Sequence, residues 1–154
     1  MTNLCSEVLS ALAGMTLVTA ESLTGGGIGA AITSVSGASA VYKGGVISYT
    51  NQVKEEILGV PGEILERYGA VSAWTAGYMA SGVRKLLRAD AAVSVTGLAG
   101  PGGDENGNPV GTVFIGYEDA SRAEVRQFRF EGTREEVRQQ TIHAALKLIL
   151  EYNR

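Results

Sequence analysis

Apolar positions recur along this chain at two different spacings, and the spacing sets the element. Leu4, Val8, Leu9 and Leu12 fall on one helical face, which predicts an amphipathic helix over 3–13. The run Met15-Thr16-Leu17-Val18-Thr19 predicts a short buried strand over 15–20. Glycines and an apolar segment follow it and predict a helix over 24–34. Val46-Ile47-Ser48-Tyr49 reads as a second strand entered through a Gly44-Gly45 turn. Two short helices are expected over 51–58 and 61–68. Ser72 is placed to cap a longer helix whose apolar face holds Ala76, Met79, Ala80, Val83 and Leu87. A third strand spans 91–96, and strands at 111–117 and 123–130 are joined by a hairpin turn at 119–122. Thr133 and Glu136 form a capping box for the last helix. Its inner face is predicted to be Val137, Thr141, Ala144, Ala145, Leu148 and Tyr152. Strands alternating with helices, then a late hairpin, predict a three-layer α/β/α sandwich around a mixed sheet.

Composition narrows the function classes. At 154 residues, 45% hydrophobic and 19% charged, the chain suits one domain over 1–154 with a real core. A net charge of −3 and 13 scattered Lys and Arg residues argue against nucleic acid as the main partner. No apolar run is long enough to span a bilayer, and the start lacks the basic region of a signal peptide. A lone cysteine, Cys5, forms no internal disulfide and suits a reducing cytoplasm. With one His and one Cys, a structural zinc site is not expected. The 21 glycines are the oddity: they gather at 25–27, 44–45 and 97–107, as in loops that bring backbone close to a ligand.

The chemistry concentrates where strands end. The stretch Thr19-Ala20-Glu21-Ser22-Leu23-Thr24-Gly25-Gly26-Gly27 carries a strand into a helix through small and hydroxyl residues. Free N–H groups there favour an anion, either a phosphate or a developing oxyanion. The Gly-Lys-Ser/Thr ending of a Walker loop is absent. Three strand ends carry suggestive residues: Glu21 with Ser22, Tyr49 with Asn51 and Lys54, and Thr96 with Gly97. In parallel strands the three sets converge. A serine after a strand is also an ordinary helix cap, and a lysine in a polar segment is ordinarily a solvated charge. A partly desolvated amine beside a hydroxyl can instead act as a base. No histidine sits in any glycine loop, and His143 lies on the polar face of the last helix with Glu136 and Lys147. Serine hydrolysis by this chain therefore requires a lysine base. Ser39, in Gly37-Ala38-Ser39-Ala40, is a second hydroxyl candidate, or simply a small loop residue. The loop Gly97-Leu98-Ala99-Gly100-Pro101-Gly102-Gly103 suits backbone contact with a phosphate or a ring. Arg134 stands in the first turn of the last helix, where a cation opposes the helix dipole at a cost of about 0.3–1 kcal/mol. It is either a surface arginine offset by Glu135 and Glu136 or a phosphate clamp, with Arg138 one turn on.

Several segments, in order, resemble the CinA C-terminal domain family. They are Thr19-Ala20-Glu21-Ser22-Leu23-Thr24-Gly25-Gly26, Gly37-Ala38-Ser39, and Gly44-Gly45-Val46-Ile47-Ser48-Tyr49-Thr50-Asn51 with Lys54. Gly69-Ala70-Val71-Ser72, Thr96-Gly97-Leu98-Ala99-Gly100-Pro101, Pro109-Val110-Gly111-Thr112-Val113 and Gly132-Thr133-Arg134 continue the series. The resemblance implies a five-stranded, mostly parallel mixed sheet. It also implies metal-free and cofactor-free hydrolysis of the carboxamide of nicotinamide mononucleotide, giving the acid and ammonia through a Ser/Lys pair. The working residues it implies are Ser22, Ser39, Tyr49, Lys54, Thr96 and Arg134. Around them, Glu21, Thr24, Gly25, Gly26, Asn51, Gly97, Ala99 and Gly100 complete a candidate substrate-binding set. Larger relatives carry an N-terminal domain with a pyrophosphatase activity, which is not transferred here.

In this reading Lys54 deprotonates a serine, N–H groups around 23–26 hold the oxyanion, and Arg134 with Thr96 and its loop holds the phosphate. Tyr49 faces the pyridinium ring. The nucleophile is open between Ser22 and Ser39. The expected partner is a small nucleotide, with a homo-oligomer plausible. A non-catalytic nucleotide-binding module is the competing reading, and no complete G-x-G-x-x-G follows the first strand to support a dinucleotide oxidoreductase.

Overall fold

A computed structural model describes residues 1–154. The chain opens with α1 (Thr2–Ala11), β1 (Leu17–Glu21) and α2 (Gly27–Thr33). A single 3-10 turn (Ala38–Ala40) leads into β2 (Tyr42–Ile47), followed by α3 (Asn51–Glu56), α4 (Gly62–Tyr68) and α5 (Ala73–Leu87). The chain closes with β3 (Ala91–Gly97), β4 (Thr112–Glu118), β5 (Ala123–Arg129) and α6 (Arg134–Tyr152). The sheet order is β2-β1-β3-β4-β5. β1 pairs in parallel with both β2 and β3, and β4 runs antiparallel to both β3 and β5. Only β4 is therefore reversed, as a mostly parallel mixed sheet requires.

Alternation along the strands makes the three layers. Leu17 of β1 faces a large core with Val8 of α1, Ile28 and Ile32 of α2, and Ile149 of α6. Val18 and Ala20 face the other side, with Met79 and Val83 of α5 and Leu65 of α4. The caps read from sequence are formed. Ser72 Oγ accepts from Thr75 N, and Thr133 and Glu136 satisfy one another's backbone N–H groups at the start of α6. No helix is long and apolar enough to cross a membrane.

Two expectations are corrected. The Gly44-Gly45 pair is not a turn but lies inside β2, paired with Val18 and Thr19. A Cβ on Gly45 would stand 2.8 Å from the Thr19 carbonyl oxygen, so Gly45 serves close strand packing, whereas Gly44 faces open space and takes a φ of 152°. The inner face of α6 is also wider than its heptad stripe. Ile142, Leu146, Ile149 and Leu150 are buried with Val137, Thr141, Ala145 and Leu148, while Ala144 and Tyr152 are half-buried. α1 and α2 close on a second side of the helix, which one amphipathic stripe does not reveal.

Candidate active site

The parallel strands β1, β2 and β3 end along one edge of the sheet, and a cleft of about 400 Å³ opens there. Ser22, Leu23, Tyr49, Lys54, Ala70, Val71, Thr96 to Gly100, Gly102 and Arg134 line it. No aspartate or glutamate does, so the ionisable groups facing it are Lys54, Tyr49 and Arg134. A larger groove, about 1000 Å³, lies between α1, β5 and α6 and holds none of the residues predicted to carry chemistry.

Lys54 decides what the cleft can do. Its side chain is 1% exposed and folds back beneath the start of α3, where Thr50 Oγ1 accepts from Val53 N as the cap. Nζ donates to the carbonyl oxygens of Ser48 (2.7 Å) and Tyr49 (3.1 Å) and stands 3.1 Å from Ser22 Oγ. Burial pushes the Lys54 ammonium down from the ordinary lysine value to about 8. An ammonium has three N–H groups for these three acceptors. A neutral amine has two, which the fixed carbonyls occupy, and its lone pair is then left for the serine hydroxyl. The geometry serves both protonation states without rearrangement.

Ser22 is 7% exposed and directly follows β1, its N–H held by the Val95 carbonyl. The turn after it needs left-handed backbone at Gly25 (φ 58°) and Gly26 (φ 100°). Within this turn the N–H groups of Leu23 and Thr24 donate to no protein acceptor. From α6, Arg138 reaches back to fix the turn, with Nε on the Leu23 carbonyl (3.0 Å) and Nη2 on that of Thr24 (3.3 Å).

Glu21 has a different task from substrate binding. Its buried carboxylate accepts from the backbone N–H of Ile28 (2.9 Å) and Gly29 (3.0 Å) and from Thr24 Oγ1 (2.6 Å). The anion at the start of α2 is thus the protein's own. The side chains of Glu21 and Thr24 are spent on one another and on α2. The free donors beside Ser22 belong to the preceding turn.

The far wall comes from β3 and α6. Thr96 Oγ1 donates to the Ala70 carbonyl (2.7 Å), tying β3 to the segment before α5. Gly97 must be glycine, since a Cβ there would stand 2.7 Å from the Thr112 carbonyl oxygen. Arg134 donates from Nη1 to the Gly100 carbonyl (2.7 Å) and from Nη2 to Tyr49 Oη (3.2 Å). It bridges the cleft mouth from the glycine loop to the exposed tyrosine and keeps three further N–H donors.

Of the predicted residues, Ser22, Tyr49, Lys54, Thr96, Gly97, Ala99, Gly100 and Arg134 meet in the cleft, with Gly25 and Gly26 shaping its turn. Ser39 does not join them. It is exposed on the 3-10 turn that precedes β2. Tyr42 at the start of β2 pairs with Leu17 at the start of β1, whereas Ser22 lies beyond the far end of β1. Ser39 is thus about 16 Å away along the strands, at the opposite edge of the sheet, and within one chain it cannot exchange a proton with Lys54. Asn51 opens α3 as an exposed residue outside the cleft lining. The sequence reading missed the carbonyls that aim Lys54 and the role of Arg138, whose only signal was its place one turn after Arg134. No group of three His, Cys, Asp or Glu side chains stands together to hold a metal ion.

The comparisons agree with this architecture. The model of the CinA C-terminal domain matches residues 1–153. A putative competence-damage inducible protein of Desulforamulus reducens is 48% identical over 136 residues, covering 88% of this chain and 33% of that one. A CinA-like protein of Parasynechococcus marenigrum is 47% identical, covering 94% of this chain and 35% of its own. The chain thus spans about a third of the length of these relatives. Among solved structures, a CinA superfamily protein from Enterobacter cloacae superposes with a TM-score of 0.96 at 32% identity, covering 99% of this chain and 92% of the other. The competence/damage inducible protein CihA from Agrobacterium tumefaciens gives 0.95 at 38%, covering 99% and 95%. Sequence and fold place this chain in the CinA C-terminal domain family.

Proposed function

We propose that this chain is an amidohydrolase that deamidates nicotinamide mononucleotide to nicotinate mononucleotide and ammonia, with Ser22 as nucleophile and Lys54 as base. The observation that carries this reading is the buried Lys54 Nζ, held by two carbonyls and 3.1 Å from Ser22 Oγ in a cleft free of carboxylates. With a pKa of about 8, roughly one Lys54 in ten is neutral at pH 7, enough to supply a base.

Neutral Lys54 takes the Ser22 proton as Oγ bonds to the carboxamide carbon. The oxyanion so formed accepts from the free N–H groups of the Leu23–Thr24 turn. The tetrahedral centre collapses, the C–N bond breaks, and protonated Lys54 returns its proton to the departing amine, which leaves as ammonia. Water then attacks the acyl-serine with Lys54 again as base, releasing the carboxylic acid and restoring Ser22. A phosphate suits the free donors of Arg134 at the mouth, where no carboxylate competes. The exposed ring of Tyr49 can face the cationic pyridine. A cytoplasmic setting belongs to the same reading, supported by the single buried thiol, Cys5.

Incubation with nicotinamide mononucleotide and measurement of ammonia tests this. Release by the wild type, lost in Ser22→Ala and Lys54→Ala, is expected. Saturable binding without ammonia would instead identify a nucleotide-binding module.

A further inference from the structure

A site that breaks a C–N bond holds an amine nitrogen between the acyl carbon and its base at the moment of departure. The same position can admit an amine in the opposite sense, toward an acyl-serine. Which nucleophile then takes the acyl group depends on the polar groups that face the ester. Among the residues lining the cleft, only Ser22, Tyr49, Lys54, Thr96 and Arg134 carry polar side chains. Once acylated, Ser22 has no proton to give. The Thr96 hydroxyl hydrogen is held by the Ala70 carbonyl (2.7 Å). Arg134 is turned to the mouth, on the Gly100 carbonyl and Tyr49 Oη. No carboxylate, histidine or carboxamide side chain lines the cleft to hold a water by its second hydrogen.

Lys54 is thus the base that receives the incoming nucleophile. Two of its hydrogens lie on the carbonyls of Ser48 and Tyr49, so the lone pair of the neutral amine points at Ser22 Oγ. An N–H beside the ester meets that lone pair as the O–H of water does.

We propose that the cleft is also an acyltransferase, passing the acyl group of its carboxamide substrate from Ser22 to small uncharged amines such as hydroxylamine. This rests on the Ser22/Lys54 hydrolase reading. The amine nitrogen bonds to the ester carbon, neutral Lys54 takes one N–H proton, and the bond from that carbon to Ser22 Oγ breaks. The proton passes to Oγ, leaving a hydroxamic acid and free Ser22 with no change of oxidation state.

Charge and size set the acceptor class. Arg134 and protonated Lys54 are the charges of the cleft, and no anionic side chain offsets them there. An alkylammonium is repelled by both and has no lone pair to attack with. Weakly basic amines, uncharged at pH 7, meet neither barrier. A volume of about 400 Å³ lies toward the low end for ligand sites, so an acceptor beside a bound nucleotide has few heavy atoms.

Incubation of the wild type with nicotinamide mononucleotide and graded hydroxylamine, with acid and hydroxamate both quantified by mass spectrometry, tests this. At about 1 M hydroxylamine, hydroxamate is expected to form at least roughly a tenth of the product, and its share to rise with amine concentration. None is expected from Ser22→Ala or from a mixture without protein. Between pH 7 and 8 the total rate should rise while the ratio of hydroxamate to acid stays constant, because one base serves both nucleophiles. Methoxyamine should be acylated at pH 7, and ethylamine, its charged counterpart of equal heavy-atom count, should not. Acid as the sole product at every hydroxylamine concentration would overturn the inference and leave the hydrolase standing. Hydroxamate from Ser22→Ala, a ratio that shifts with pH, or ethylamide formed as readily as the methoxyamine product would overturn it too. A wild type that makes neither acid nor hydroxamate would remove the hydrolase reading and this inference together.

Discussion

Lys54 Nζ lies 3.1 Å from Ser22 Oγ although 32 residues separate the two along the chain. Parallel pairing of β1 with β2 brings them together: Ser22 follows the end of one strand, and Lys54 returns on the first helix after the other. Two backbone carbonyls take two amine hydrogens, and only the serine is left for the lone pair.

This arrangement makes turnover depend on pH in one direction. Neutral Lys54 is the active form, so kcat/KM should rise about tenfold per pH unit below pH 8 and level off above it, following the lysine near 8. A profile flat from pH 6 to about 9 would show that no group with this pKa acts as the base.

The same shift has a stability consequence. The folded pKa of about 8 lies below that of an exposed lysine near 10.5, so between these values the unfolded chain binds more protons. Wild-type stability should therefore increase, relative to Lys54→Met, as pH rises from about 8 to 10.5, and the difference should be constant below 8. Chemical denaturation of both proteins across this range measures it. An unchanged difference would mean that burial costs the ammonium little.

Glu21 is expected to matter for folding first. Glu21→Ala leaves the N–H groups of Ile28 and Gly29 and the Thr24 hydroxyl without their acceptor. A loss of about 2–3 kcal/mol is expected, measured by denaturant unfolding. A variant of wild-type stability with no turnover would move Glu21 into the reaction.

Arg134 and Arg138 should separate by kinetics. Arg134→Ala removes a cation at the cleft mouth and is expected to raise KM for the nucleotide about tenfold while leaving KM for the phosphate-free nucleoside unchanged. Arg138→Ala frees the Leu23 and Thr24 carbonyls and loosens the turn that carries the oxyanion donors. Its expected signature is a kcat lowered about tenfold at similar KM. If both variants change only KM, Arg138 does not position the turn.

How far the sequence was legible follows from the range of the interactions involved. Local periodicity located the six α-helices and four of the five strands, because capping at Ser72 and Thr133 and the apolar run of β1 are written within a few residues. It set β2 at 46–49, where the strand is Tyr42–Ile47. It misread Gly44-Gly45 as a turn, since the reason for glycine at Gly45 is Thr19 on a neighbouring strand. The strand-end rule brought Ser22, Tyr49, Lys54 and Thr96 to one cleft, and Arg134 joined them from the start of α6. It could not show that Glu21 points into α2, nor that Ser39, which precedes its strand, lies at the opposite edge. Which end of a strand a residue occupies proved as informative as its chemistry.

The most direct test is to quench the reaction with nicotinamide mononucleotide rapidly and map the acylated peptide by mass spectrometry. The account predicts a transient nicotinoyl ester on Ser22, absent in Ser22→Ala and retained in Ser39→Ala. An ester on Ser39, or full ammonia release by Ser22→Ala, would contradict it.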